Sequence, residues 1–250
     1  MLPKTIHSLQ HPFVKYLVKL RKTRSFRKKE RKTIIAGRTI VEEIITGSDS
    51  PIQLVLIQEG TFFSCTHPTL TVTEEILRKI TGTKNPDPIA ALVEIPLPHY
   101  LSIENFSYLL ILDGIADPGN LGTLLRTALA LGWEGVYLTE NTCDPFNEKA
   151  LRAAKGATFR IPLLEGSWKE FIHLSHSFQV LVADLHGSTL ASILPAPPLA
   201  LVLSKESEGA RKEIPSPFHR VTLPMSGKME SLNVASAGSI LLYQLRGELT

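Results

Sequence analysis

The sequence predicts two successive α/β domains, and three observations predict them. Short apolar runs alternate with helix-like patterns from residue 33 to 96, the same alternation restarts at residue 106, and a proline-containing polar stretch, PLPHYLSIEN at 96–105, lies between the two series. A chain of 250 residues with 43% apolar content suffices for two folded domains of ordinary size.

In the first series, TIIAG (33–37) reads as a strand. RTIVEEIITG reads as a helix closed by Gly47, with apolar residues at 40, 41, 44 and 45 on one face. IQLVLIQ (52–58) is the next strand, TEEILRKITG (73–82) the next helix and PIAALVEIP (88–96) the last strand. In the second series, YLLIL (108–112) is a strand and LGTLLRTALAL (121–131) a helix ended by Gly132. GVYLT (135–139) is a strand, and NEKALRAAKG a helix capped by Asn147. SWKEFIHL follows, with Ser167 and Glu170 spaced as a capping box. QVLVAD (179–184), LALVLS (199–204) and HRVTLPM (219–225) are strands, and a final helix runs from near Ser231 to about Arg246. Apolar strands separated by helices predict a parallel sheet covered on both faces. The domain reading is therefore 1–95, a linker at 96–105, and 106–250.

Charge is unevenly distributed. Residues 1–38 hold seven lysines and five arginines against Glu30 alone, a net +11. The whole chain carries only +3, so the remainder carries −8. A run such as KYLVKLRKTRSFRKKERK is either a solvated helix or a surface for a polyanion, and its density favours RNA or DNA. The residues expected to make that contact are Lys15, Lys19, Arg21, Lys22, Arg24, Arg27, Lys28 and Arg31. Phe26 among them either stacks on a base or packs.

Cys65 and Cys143 cannot form a disulfide framework, and no Cys/His spacing suggests a zinc site, so no metal is expected. The start, MLPKTIHSLQHP, lacks a signal-peptide pattern, and no apolar run reaches the length of a membrane span, so the expected location is cytoplasmic. No GxGxxG follows a strand, which places a dinucleotide-dependent reductase last among the readings.

Ligands of open α/β sheets bind at the carboxyl ends of strands. Three unusual loops lie at such ends. DGIADPGNLG follows the first strand of the second series: Pro118 and Gly119 make a turn, Asn120 is placed to cap the helix, and Arg126 lies six residues further on. SKESEGA (204–210) follows LALVL. SGKMESLNVASAGS places Ser231 and Asn233 before a helix whose first turns are small residues, Ala235 to Gly238. Each loop alone is an ordinary turn or cap; three together describe one cleft.

These segments, DPGNLGTLLRTA, SEG after a strand and PMSGKMESLNVASA, resemble the SpoU (TrmH-type) family of RNA 2′-O-ribose methyltransferases in the SPOUT superfamily, over residues 106–246. The basic start also resembles the substrate-binding domain that many members carry. The resemblance implies a trefoil-knotted catalytic domain at the carboxyl end, S-adenosylmethionine bound among the knotted loops, and a homodimer in which each site is completed by the neighbouring subunit. It assigns Asn120, Arg126, Glu206, Ser231 and Asn233 to the catalytic neighbourhood. It assigns Ser204, Gly209, Leu223, Met225 and Leu232 to the cofactor.

A ribose hydroxyl is a poor nucleophile and a sulfonium methyl a strong electrophile, so alignment and the handling of one proton dominate the chemistry. Arginine is rarely deprotonated, so Arg126 is first a phosphate clamp and a stabiliser of the developing alkoxide, with base action as the alternative. Two positions depart from the family pattern. Ser204-Lys205-Glu206-Ser207 stands where glycine, asparagine, glutamate, glycine is usual, and Ala154 stands where serine is common. Ribosomal RNA is the expected substrate. Transfer RNA is the alternative, and a non-catalytic RNA-binding or ribosome-assembly protein the second class of reading.

Overall fold

After a two-residue strand, Thr5–Ile6 (β1), the basic segment forms a helix, Pro12–Lys22 (α1), in a computed structural model that describes residues 4–46, 51–96, 103–205, 215 and 217–246. Proline fits the first helical position because that amide needs no partner, and the His11 ring accepts the Phe13 amide. Lysines alternate here with Val14, Leu17 and Leu20 at helical spacing, and these three are buried. The charged segment is thus one wall of a core rather than a free arm. It continues as Arg24–Glu30 (α2), Lys32–Ala36 (β2) and Arg38–Ile45 (α3), then Ile52–Gln58 (β3), Thr69–Val72 (β4), Glu74–Thr81 (α4) and Ile89–Glu94 (β5). The sequence reading missed β1 and β4, which are too short to show a period.

Contacts group residues 1–97 with 146–159 as one unit, and residues 98–145 with 160–250 as another. In the first unit the sheet order is β1-β4-β3-β5-β2, with β5 antiparallel to both neighbours. One face carries α1 and α4, whose Leu17, Leu20, Ile76 and Ile80 pack with Ile34, Leu56 and Leu70. The other carries α3, with Ile40, Val41 and Ile44 on Ile35, Val55 and Ile89.

The second unit opens with Tyr108–Asp113 (β6), Pro118–Ala130 (α5) and Gly135–Leu138 (β7). The helix Glu148–Ala154 (α6) comes next in the chain but belongs by contacts to the first unit. Leu151 joins the α3 core, Glu148 accepts from Arg21 at 2.9 Å, and the Phe146 carbonyl accepts from Thr33 at 3.1 Å. The chain then supplies Leu163–Glu165 (β8), Trp168–Leu174 (α7), Gln179–Ser188 (β9), Leu190–Ile193 (α8), Leu199–Ser204 (β10), His219–Val221 (β11) and Val234–Arg246 (α9). The expected capping box forms: Ser167 accepts the Glu170 amide, and Glu170 accepts the Ser167 amide. The sheet order is β11-β9-β10-β6-β7-β8, and every neighbouring pair is parallel. One face is closed by an aromatic cluster of Phe106, Tyr137, Trp168, Phe171 and Phe178.

On the other face α5 and α9 pack together, and the small residues at the start of α9 allow the approach. A Cβ at Gly238 would lie 2.5 Å from Leu203 and 2.6 Å from Leu124, so only glycine fits this contact without repacking. Most of the expected linker, residues 97–102, lies outside the described residues, as does Gly47.

Candidate functional site

Strands β6 and β10 lie in register, so that Asp113 and Ser204 end side by side. Asp113 is only 6% exposed, and its carboxylate accepts from Thr139 Oγ1 at 2.7 Å and from Ser204 Oγ at 3.5 Å. Gly114 adopts φ +68°, a left-handed turn that favours glycine. Its amide donates to the Thr139 and Thr142 hydroxyls. The strand end is therefore fixed by satisfied buried polar groups before the loop begins.

Beyond that loop, helix α5 starts earlier than the sequence suggests. Asp117, not Asn120, is its cap: the Asp117 side chain accepts the Asn120 amide at 2.8 Å. Two capping-type residues three apart compete for one role, and the aspartate takes it because Pro118 occupies the first helical position. The Asn120 side chain is thereby released, and its Oδ1 accepts from Asn233 Nδ2 at 3.0 Å. Asn233 also caps α9, its Oδ1 accepting the amides of Ala235 and Ser236, which is why that helix begins at Val234 rather than near Ser231. Two residues 113 apart in sequence thus bind the first and third loops together.

Beside this bridge is a cavity of about 370 Å³. Ser204, Leu223, Met225, Ser231 and Leu232 all border it, as does Ala237 of α9. Its remaining wall comes from β9, by a register jump. Arg220 of β11 pairs with Val182, but Val221 pairs with Ser188, so residues 183–187 are looped out of the pairing with β11. The pairing of β9 with β10 also stops at Val182. Ala183, Asp184, Leu185 and His186 consequently face the cavity. Gly187 closes the loop, where a Cβ would lie 2.6 Å from the backbone of Arg220 and Val221.

Burial works to raise the Asp184 carboxyl, but the His186 amide and the Arg220 guanidinium outweigh it and hold the group below its ordinary value. This wall escaped the sequence reading. Its one available signal was ADLHG directly after the run QVLV, at a strand end. Asp113, Thr139 and Thr142 were missed as well.

Arg126 lies on an exposed position of α5 and does not border the cavity. Six residues from Asn120 correspond to about 9 Å of rise and a third of a turn around the helix, so the two side chains diverge. Glu206 and Gly209 lie outside the described residues.

In the first unit Lys15, Lys19, Lys22, Arg24 and Lys28 are exposed. Arg27 is 3% exposed, and its guanidinium donates to the Leu20 and Arg21 carbonyls, each at 2.6 Å, which ties α2 to the end of α1. Arg21 is engaged by Glu148, and Arg31 donates to the Ile95 carbonyl. Phe26 packs against the α1 core, edge-on to Tyr16 and beneath Lys19. No helix among the described residues is long and apolar enough to cross a membrane, and no His/Cys/Asp/Glu group among them could hold a metal ion.

Comparison with known proteins adds to this geometry. Residues 107–243 match the SpoU rRNA Methylase family, and residues 11–91 match the MRM3-like substrate binding domain. The 23S rRNA (guanosine(2553)-2′-O)-methyltransferase RlmP of Bacillus subtilis is 31% identical over 98% of this chain and all of that one. An AdoMet-bound rRNA methyltransferase from Sinorhizobium meliloti superposes with a TM-score of 0.84 at 27% identity, over 99% of this chain and 98% of its own. The SpoU methyltransferase AviRb from Streptomyces viridochromogenes shares the fold at a TM-score of 0.80, with 19% identity over 95% of this chain and 97% of its own.

Proposed function

The chain belongs to the SpoU rRNA Methylase family, and from that premise we propose that it methylates a ribose 2′-hydroxyl of large-subunit ribosomal RNA, using S-adenosylmethionine. The observation that carries this reading is the cavity at the strand ends. Every described residue expected at the cofactor borders it, and the Asn120–Asn233 bridge joins two of the loops beside it.

The cavity suits the cofactor. Its size falls within the ordinary range of small-molecule sites, roughly 300–1,000 Å³. Leu203, Leu223 and Leu232 offer an apolar bed for a planar base, and Ser204, Ser231 and Thr222 offer hydroxyls at the rim. Bound there, S-adenosylmethionine supplies a methyl group on a sulfonium. Asn233 and Asn120 hold the first and third loops in one arrangement, so the geometry exists before the ligands arrive. Ser204, steadied by Asp113, holds the end of β10 at the cavity.

Arg126 provides positive charge and five N–H donors for a phosphate and for the alkoxide that develops as the hydroxyl loses its proton. Because it stands on an exposed helix face away from its own chain's cavity, Arg126 would serve the cavity of a second copy. This position supports the homodimer with composite sites that the family resemblance implies. The exposed Ile240 and Tyr243 of α9 give such a pairing apolar surface. Mixing Arg126→Ala with Asn233→Ala chains tests it: partial recovery of activity is expected in the mixture, and none if each chain works alone. The knotted path of the carboxyl end is part of the same proposal. We also propose residues 1–95 as the RNA-holding domain, and Lys15, Lys19, Lys22, Arg24 and Lys28 as its phosphate contacts. Glu206 and Gly209 keep their assignment at the active site and cofactor. A ribosomal RNA substrate is what supports a cytoplasmic location.

The deciding experiment is transfer from radiolabelled S-adenosylmethionine to an unmodified 23S rRNA transcript, followed by mapping of the product. One labelled ribose is expected. Label in transfer RNA alone, or cofactor binding with no transfer to any RNA or ribosomal particle, would overturn the reading.

A further inference from the structure

Strands β2 and β3 run parallel to each other with β5 antiparallel between them, so the ends of β2 and β3 and the start of β5 share one edge of the first sheet. Three connections meet there: Gly37–Arg38, the loop after β3, and the approach to β5. They are tightly tied. The Arg38 and Ile89 amides both donate to Asp87, the Gly37 amide donates to the Ile89 carbonyl, and the Arg38 guanidinium donates to the Phe62 carbonyl at 3.0 Å.

Two phenylalanines follow one another in this loop with opposite fates. Phe63 packs against the α3 core with the Arg38 guanidinium 5.2 Å from its ring centroid, whereas Phe62 is 85% exposed. The Phe62 backbone is thus anchored by Arg38 while its ring stands in solvent.

Building on the reading that this chain acts on RNA, we infer that Phe62, supported by Arg38, is a stacking platform for an unpaired nucleobase of the substrate RNA. Aromatic rings and guanidinium planes are the surfaces on which splayed-out RNA bases stack. The electrostatics favour a base over a phosphate. Glu42 lies 3.5 Å from the Arg38 guanidinium and Asp87 is bound to the adjoining backbone, so the edge carries no cationic excess. The same carboxylates can accept from a base's N–H groups. This platform is separate in kind from the lysines of α1 and α2, which meet the backbone by charge.

The test is RNA affinity of the full-length Phe62→Ala chain for the unmodified 23S rRNA transcript at several salt concentrations. Loss of one stacked base predicts binding weaker by roughly five- to a hundredfold. The dependence on salt should stay as steep as in the original chain, because no phosphate contact is removed. Phe62→Trp should bind normally, and its emission should be quenched on adding RNA, since Trp133 and Trp168 are 2% and 7% exposed. Phe62→Ala binding as tightly as the original chain overturns the inference. So does an altered sedimentation mass with unaltered RNA affinity, which would make a second copy the occupant. Methyl transfer by the original chain is the control: its presence with an indifferent Phe62→Ala removes the platform alone, and an original chain with neither transfer nor affinity for RNA removes RNA as the ligand altogether.

Discussion

The two units solve binding in opposite ways. On α1 and α2 of the first unit, at least five exposed cations are spread over a surface whose buried side is an ordinary core, so no single side chain is indispensable. At the strand ends of the second unit, a few side chains from loops far apart in sequence are fixed by specific hydrogen bonds, and each has one place to be. The first is suited to a long polyanion, where many weak contacts add. The second is suited to bringing two atoms together, where a small displacement removes the effect.

The largest expected effect tests that contrast at Arg126. Arg126→Ala should lower transfer at least a hundredfold, as loss of an oxyanion-type donor does, with cofactor affinity unchanged by calorimetry. Retained activity would place the cation elsewhere. Next is Gly187→Ala, which puts a Cβ against the backbone of β11. Overpacking of this kind costs about 1–3 kcal/mol. The expected result is weakened cofactor binding with normal RNA binding, read by titrating each ligand separately.

Two neighbours on α2 then sharpen the picture of the first unit. Arg27→Ala should lower stability by about 1.5–3 kcal/mol, the worth of charge-assisted hydrogen bonds, and leave the salt slope of RNA binding unchanged. Lys28→Ala should act on that slope instead, reducing it by about one. If both behave alike, the division between structural and binding cations is wrong.

The smallest effect is at Asp184. Its folded-state carboxyl titrates below the unfolded one, so its contribution is present above the unfolded value, about pH 3.9, and is lost as pH falls through the folded value. Acid unfolding monitored with and without Asp184→Asn should show the variant losing less stability over that range.

Much of the second unit was legible because a buried parallel sheet writes its strands as unbroken apolar runs, as YLLIL and LALVL do. The strand-end loops were legible as one cleft, but their apolar lining positions were legible only through the resemblance, since Leu223 or Leu232 alone is indistinguishable from a core leucine. Three things were hidden. Asp117 and Asn120 are equally good caps by type, and Pro118 decides between them in the structure. The membership of α6 follows from Leu151 and Glu148 finding partners more than a hundred residues upstream, which adjacency in sequence argues against. The wall at residues 183–187 depends on which residue of β11 faces which residue of β9, a tertiary choice with no local signature.

That register jump has a consequence for how the protein can change. Residues 183–187 are skipped by the pairing with β11, while Val182 and Ser188 on either side keep it, so the strand is anchored at both ends of the excursion. Apart from Gly187 and the aspartate that receives Arg220, side chains there can be exchanged without disturbing the hydrogen-bond ladder. Binding strength and fold stability are therefore separable at Leu185 and His186. A protein built this way can retune its affinity for a small ligand at little risk to its folding, by altering a stretch of the cavity lining that its sheet does not depend on.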